Sequence, residues 1–299
     1  MSAPRHVNDG STRPPRLAIY GNEWAMGELP QWPHDRAWSF EETADRMVAA
    51  GFHGIQAGIG NRMLVESRGL RFATSGRVNT PAEVGPHVKA AADAGADCTT
   101  LHAGWGMESD AAVDALLDAV NEASARHGLP AYIETHRATI AQDLLRIQQF
   151  IWRRPEVRFN GDFSHLYCAG EVCYPGFENV RDHFRPILER VCFFHGRISN
   201  GESMQIDVGD GRDNAHVRNF QWLWETGMGH WLARARPGDI LPFAPELGPP
   251  SSGYSITFTD SAGRVAEISD RWAQTLVLKR LAEECWAQAV ESMPRAAPK

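Results

Sequence analysis

The chain lacks any run approaching the roughly 18 uninterrupted apolar residues that a membrane helix needs. Its beginning, through Arg16, is polar and carries Pro4, Pro14 and Pro15 in place of an apolar signal core, so the protein is expected to stay in the cytoplasm. Positive charge is also short: 30 Lys and Arg face 37 Asp and Glu, a net charge of −7, which leaves no surplus to neutralise a nucleic-acid backbone. Only five cysteines occur in 299 residues, without paired spacing, and Cys98 and Cys192 fall in strand-like runs. They read as reduced core thiols. No Gly-x-Gly-x-x-Gly follows the first apolar run, where Tyr20-Gly21-Asn22-Glu23-Trp24 leads into Met26-Gly27, and this counts against a dinucleotide-binding open sheet.

What the chain does have is an alternation of short apolar runs with longer segments of helical period. Eight strands are expected: Leu17–Tyr20, Gly54–Ile59, Leu70–Thr74, Cys98–Ala103, Ala131–Thr135, Val157–Phe163, Val191–Arg197 and Ile240–Glu246. Helix starts stand between them, at Ser39-Phe-Glu-Glu, at Thr80-Pro81-Ala82-Glu83, and at Ser109, whose Ala-rich helix stops at Gly128. Further amphipathic stretches cover Ile140–Trp152, Val180–Arg190, Val217–Ala235 and Arg271–Val290. Only a short Asn61–Ser67 helix fits between the second and third strands. Eight strand-helix units in one continuous alternation point to an α/β protein with a single (β/α)8 barrel over residues 16–291. Residues 1–15 are expected to be a flexible tail, and 292–299 another.

In such a barrel the C-terminal strand ends converge on one cavity. Here His102 ends strand four in Thr-Leu-His-Ala-Gly, Glu134 ends strand five in Tyr-Ile-Glu-Thr-His, and Asp162 ends strand six in Asn-Gly-Asp-Phe-Ser-His. His195 ends strand seven in Phe-Phe-His-Gly-Arg, and Glu246 ends strand eight in Ala-Pro-Glu-Leu-Gly. Each alone has an ordinary structural role open to it: a Glu paired with an Arg, a His bonded in the core, an Asp capping the next helix. Together, three carboxylates and an imidazole in one cavity would repel unless they share a cation or take up protons. An oxygen-rich set with one imidazole suits Mn²⁺ or Mg²⁺ and tolerates Co²⁺ or Zn²⁺.

On these residues the chain resembles the xylose isomerase-like (β/α)8 barrel superfamily over about residues 16–290. The strings Ile-Glu-Thr-His-Arg, Asp-Phe-Ser-His, Phe-His-Gly-Arg-Ile and Pro-Glu-Leu-Gly-Pro-Pro are similar to its sugar phosphate isomerase/epimerase branch. The resemblance implies one divalent metal, Mn²⁺ foremost, on Glu134, Asp162, His195 and Glu246, with Glu134 and Glu246 also moving the proton. It further implies an Asp-x-x-His element in which His165 contacts substrate. The pattern departs where ketose epimerases carry an Arg six residues beyond the metal-binding His: Gly201 stands there, and Arg197 is the nearest guanidinium. The further zinc ligands of endonuclease IV are missing too, with Gln56-Ala57-Gly58 ending strand two and Asp213-Asn-Ala-His216 replacing an Asp-x-His.

The implied activity is isomerisation or epimerisation of a sugar or keto-sugar through a metal-stabilised enediolate. His102, His136, His165 and Arg197 would bind substrate hydroxyls, and Trp24 and Trp105 would wall the sugar. A metal-dependent lyase or dehydratase acting on a keto-sugar, keto-inositol or keto-glycoside uses the same proton abstraction and stays open, as does a barrel that binds a sugar or partner without turnover. The expected partner is a small carbohydrate, with neither nucleic acid nor membrane; a homo-oligomer or an accessory subunit stays open.

Overall fold

The computed structural model describes residues 6–28 and 37–293. Eight parallel strands close into a barrel. They are β2 (Arg16–Asn22), β3 (Gly54–Gln56), β4 (Arg71–Val78), β5 (Thr99–Ala103), β6 (Ala131–Glu134), β7 (Phe159–Gly161), β8 (Val191–Gly196) and β9 (Asp239–Pro245). Each pairs with the next, and β9 returns to β2 with Arg16 opposite Ile240 and Ile19 opposite Phe243. This is the single (β/α)8 barrel that the alternation predicts. Helices α1 (Phe40–Ala49), α2 (Arg62–Ser67), α3 (Pro81–Asp93), α4 (Asp110–His127), α5 (Leu144–Arg153), α6 (Phe163–Ala169), α7 (Phe177–Val180), α8 (Arg185–Leu188), α9 (Ala215–Leu232) and α10 (Arg271–Glu291) follow the strands.

The strands are buried on both faces except toward the end of β4, where Ser75 and Arg77 are exposed, and the longer helices cover them with one stripe each. In α4 that stripe is Val113, Leu116, Leu117 and Val120. Each such side chain contributes roughly 1.5–3 kcal/mol over leaving it exposed. Capping fixes where the helices start. Ser39 and Glu42 close a full reciprocal capping box on α1, and Gly128 ends α4 at a φ of 66°.

Several boundaries differ from the sequence reading for local reasons. β3 stops at Gln56, because Glu23 Oε2 accepts from Gly58 N at 2.8 Å and draws the chain into a 3₁₀ turn at Ile59–Asn61. β4 continues to Val78, paired with β5 from Thr74–Thr99 through Val78–Ala103. β7 ends before Asp162, whose carboxylate accepts from Ser164 N at 3.0 Å and caps α6. The helix expected over Val180–Arg190 is broken into short turns, with Pro186 unable to donate a backbone N–H. The stretch 1–15, expected to be a flexible tail, is tied down from residue 6 onward. There β1 (Val7–Asn8) pairs antiparallel with β9, and Asp9 accepts from Arg13 and Arg16, each at 2.7 Å. Residues 1–5 and 294–299 of the expected tails lie outside the described residues. None of the five cysteines is in a disulfide. Cys98, Cys192 and Cys285 are buried, but Cys173 is exposed and Cys168 half-buried, because both lie beyond β7 in the α6 region and not on a strand. Among the described residues no helix is long and apolar enough to cross a membrane.

Candidate metal centre

Four strand ends deliver Glu134, Asp162, His195 and Glu246 to one point. One donor atom from each lies within 4.8 Å of the other three, and all four residues are buried. Backbone ties set this convergence. Thr135 N donates to Asn160 O at 3.0 Å and Thr135 Oγ1 donates to Asp162 O at 2.9 Å, which locks the ends of β6 and β7 together. Glu246 N donates to Gly196 O at 3.0 Å, doing the same for β8 and β9. Gly196 is needed for that approach, since a Cβ there would lie 2.4 Å from the Phe243 ring.

Around the four lies a layer of uncharged amides. His195 Nε2 donates to Gln56 Oε1 at 2.8 Å, while Gln56 Nε2 donates to Thr100 Oγ1 at 2.8 Å. Asn22 Nδ2 donates to Glu246 Oε1 at 2.9 Å, and Asn160 Nδ2 donates to Glu134 Oε2 at 3.0 Å. Arg197 is fully buried. Its Nη2 donates to Glu246 Oε2 at 2.6 Å, its Nε donates to Glu246 O at 2.8 Å, and its Nη1 lies 3.1 Å from Asp162 Oδ2. Asp162 and Glu246 thus do play the ordinary roles open to them, a helix cap and an Arg partner, and still face the common point.

The charges explain the titration behaviour. Burial works to raise Glu134, but His195 and His102 beside it hold its carboxyl well below the usual range. Glu246 is lowered by His195 and Arg197 against the same burial. Burial pushes Asp162 up to about 6 in spite of Arg197. Burial also opposes charging of His195, yet Glu246 and Glu134 lift it to about 10. The imidazolium therefore balances these carboxylates when no other cation does. Its Nδ1 lies 3.1 Å from Glu246 Oε2 and 3.3 Å from Glu134 Oε2. With Nε2 committed to Gln56, Nδ1 is the atom that loses the proton to give a lone pair facing both carboxylates. Asp162 Oδ2 and His195 Nδ1 face this point and are buried without a hydrogen bond, with Glu134 Oε2 3.3 Å from His195 Nδ1. Such a set of orphaned donors fits a divalent cation of the Mn²⁺ or Mg²⁺ type.

A cavity of about 620 Å³ opens onto this centre, in the range of small-molecule sites. Glu134, His195, Glu246, His102, His136, Arg197 and Trp24 line it, together with Asn22, Gln56, Glu23, Glu28 and Tyr254, which sequence reasoning did not propose. Tyr254 packs edge-on against Trp24 at 5.7 Å, with the Arg197 guanidinium 4.6 Å from its centroid. Two residues proposed as substrate contacts do not line the cavity. Trp105 is 59% exposed under Arg77, turned out between Gly104 and Gly106 at φ values of 65° and 91°. His165 is fully buried in α6, with Nε2 3.5 Å from Asp162 Oδ2 and accepting from Arg197 Nη1 at 3.1 Å.

Comparison with solved structures agrees with the architecture. An L-ribulose 3-epimerase matches over 94% of this chain and all of its own, at 14% identity and a TM-score of 0.54. The chain shares the (β/α)8 TIM barrel fold. A xylose isomerase-like TIM barrel protein from Mycobacterium smegmatis, solved in complex with magnesium, matches over 90% of this chain and 98% of its own, at 13% identity and a TM-score of 0.53. An uncharacterised protein from Parabacteroides distasonis matches at a TM-score of 0.52 and 13% identity, over 90% of this chain and 99% of its own. No family model matches the sequence, and no curated protein does.

Proposed function

We propose that the protein is a divalent-metal-dependent isomerase or epimerase of a sugar or keto-sugar. The observation that carries this reading is the convergence of Glu134, Asp162, His195 and Glu246 on one buried point at the floor of the cavity. A divalent ion held by these four residues would supply Lewis-acid polarisation of the two oxygens of an α-hydroxyketone, acidifying the C–H of the hydroxyl-bearing carbon next to the carbonyl.

The side chains divide the remaining work. Both oxygens of Glu246 are already held, Oε1 by Asn22 and Oε2 by Arg197. Glu134 Oε1 accepts no hydrogen bond and has only His102 Nε2 beside it at 3.0 Å, which makes it the readier acceptor for a proton from substrate carbon. Glu246, on a strand three positions round the barrel, serves the other face. His102, a third exposed with Nε2 3.0 Å from Glu134 Oε1, and His136 line the entry and bind hydroxyls. Burial pushes His136 down to about 4, so it acts as a neutral imidazole. Trp24 and Tyr254 offer an aromatic wall to a sugar face.

The cavity's charge favours an uncharged substrate. Among the described lining residues the one guanidinium is Arg197, already paired with Glu246 and Asp162, while Glu23 and Glu28 add two carboxylates. A phosphate would find no free cation among these side chains.

Free ketoses, their phosphates and keto-glycosides, incubated with the Mn²⁺ protein in D₂O and followed by NMR, test the reading. Deuterium at one carbon with net conversion of an unphosphorylated sugar is expected. Loss of a leaving group would assign a lyase, and an unchanged panel would leave a binding protein.

A further inference from the structure

We infer that a second divalent cation, one that prefers nitrogen donors, binds between His102, Glu134 and His136. This inference rests on the proposed first site only in that Glu134 belongs to both.

One donor atom from each of the three residues lies within 4.8 Å of the others. A cation with bonds of about 2.1 Å spans donor atoms up to about 4.2 Å apart, so only slight contraction is required. Glu134 Oε1 points into this group rather than toward the first. It is fully buried and hydrogen-bonded to nothing, although His102 Nε2 is 3.0 Å away. Its sister oxygen Oε2 is the one that accepts from Asn160 and faces His195. The carboxylate is therefore arranged to bridge, one oxygen to each side.

The His136 imidazole is suitably prepared. His136 Nδ1 donates to Arg137 O at 2.5 Å, which leaves Nε2 with the lone pair. The rings of His102 and His136 lie with centroids 4.1 Å apart and tilted by 33°. All three residues line the cavity, so open coordination positions face solvent or substrate. Two imidazoles and one carboxylate suit Zn²⁺, Co²⁺ or Ni²⁺, whereas the three carboxylates and one imidazole next door suit Mn²⁺ or Mg²⁺. An ion in the second site occupies Glu134 Oε1, the oxygen assigned above to take the substrate proton. It therefore inhibits where the first ion activates.

Metal content after dialysis, with calorimetric titration of the full-length protein, tests this. The wild type is expected to bind two equivalents of Zn²⁺ or Co²⁺ but one of Mn²⁺. His102→Gln and His136→Gln should each lose one equivalent of Zn²⁺ and keep the Mn²⁺ equivalent, which also shows that they are folded. In Co²⁺ titrations the visible spectrum should show a second step between one and two equivalents, absent in both variants. One Zn²⁺ equivalent in the wild type, or two that both variants retain, overturns the second site and leaves the first standing. Failure to bind any Mn²⁺ would instead remove the first site.

Discussion

A single hydrogen bond, from His195 Nε2 to Gln56 Oε1 at 2.8 Å, decides which nitrogen of His195 faces the three carboxylates. The Gln56 amide is itself oriented by its donation to Thr100, so its oxygen can only accept. Gln56→Leu should leave the barrel folded but release the ring. Because partners that orient a ligand are worth 10–100-fold in affinity, Mn²⁺ binding is expected to weaken by roughly that factor. Calorimetry checks it, and unchanged affinity would mean that the amide has no orienting role.

The two glutamates should respond differently to loss of charge. Glu134→Gln keeps an oxygen ligand but removes the proton acceptor, so a rate loss of about 10²–10⁴-fold is expected with a smaller loss of metal. Glu246→Gln should cost relatively more metal, since it also leaves the buried Arg197 short of a carboxylate. Parallel turnover and metal-content measurements separate the two. Equal, near wild-type turnover in both variants would place the proton on another residue.

The eight strands were legible because each is an apolar run, and the ionisable strand ends were legible because a charged residue terminating such a run is conspicuous. The amide layer was not. Asn22, Gln56 and Asn160 are neutral side chains, and their partners Glu246, His195 and Glu134 lie far along the chain, so only the closed barrel brings them together. Gln56 was placed at the end of strand two only as marking a missing zinc ligand; the positional rule that picked out His102 at the end of strand four would have made it a candidate too. Trp105 misled for the converse reason: it follows a strand end closely, but flanking glycines in left-handed conformation direct it away from the cavity.

Close packing behind the centre gives a stability test. Gly196→Ala would place its Cβ against the Phe243 ring between two strands that cannot separate without moving His195 and Glu246. Overpacking of this kind costs about 1–3 kcal/mol. Urea denaturation should report a lower midpoint, and a variant as stable as wild type would show that β8 and β9 are freer than their spacing implies.

His87 should make stability fall on the acid side. Burial lowers its pKa below the ordinary 6.5, and its Nε2 sits 3.0 Å from Thr99 Oγ1 beneath Gly76, where a Cβ would lie 2.2 Å from the ring. The unfolded chain then binds the proton more readily than the folded one. The stability is fully present above the unfolded value and declines as pH falls from there through the folded value. Urea midpoints at pH 7.5 and 5.5 should drop toward acid, and His87→Gln should show a smaller drop. An equal drop in the variant would assign the effect elsewhere.

The central claim is that Glu134, Asp162, His195 and Glu246 together hold one activating divalent ion. Crystals grown with Mn²⁺ and measured for its anomalous scattering test it most directly. One strong peak is expected among the four side chains, with His195 bound through Nδ1 and Nε2 still on Gln56. A map without a peak there, or with His195 turned to present Nε2, would contradict it.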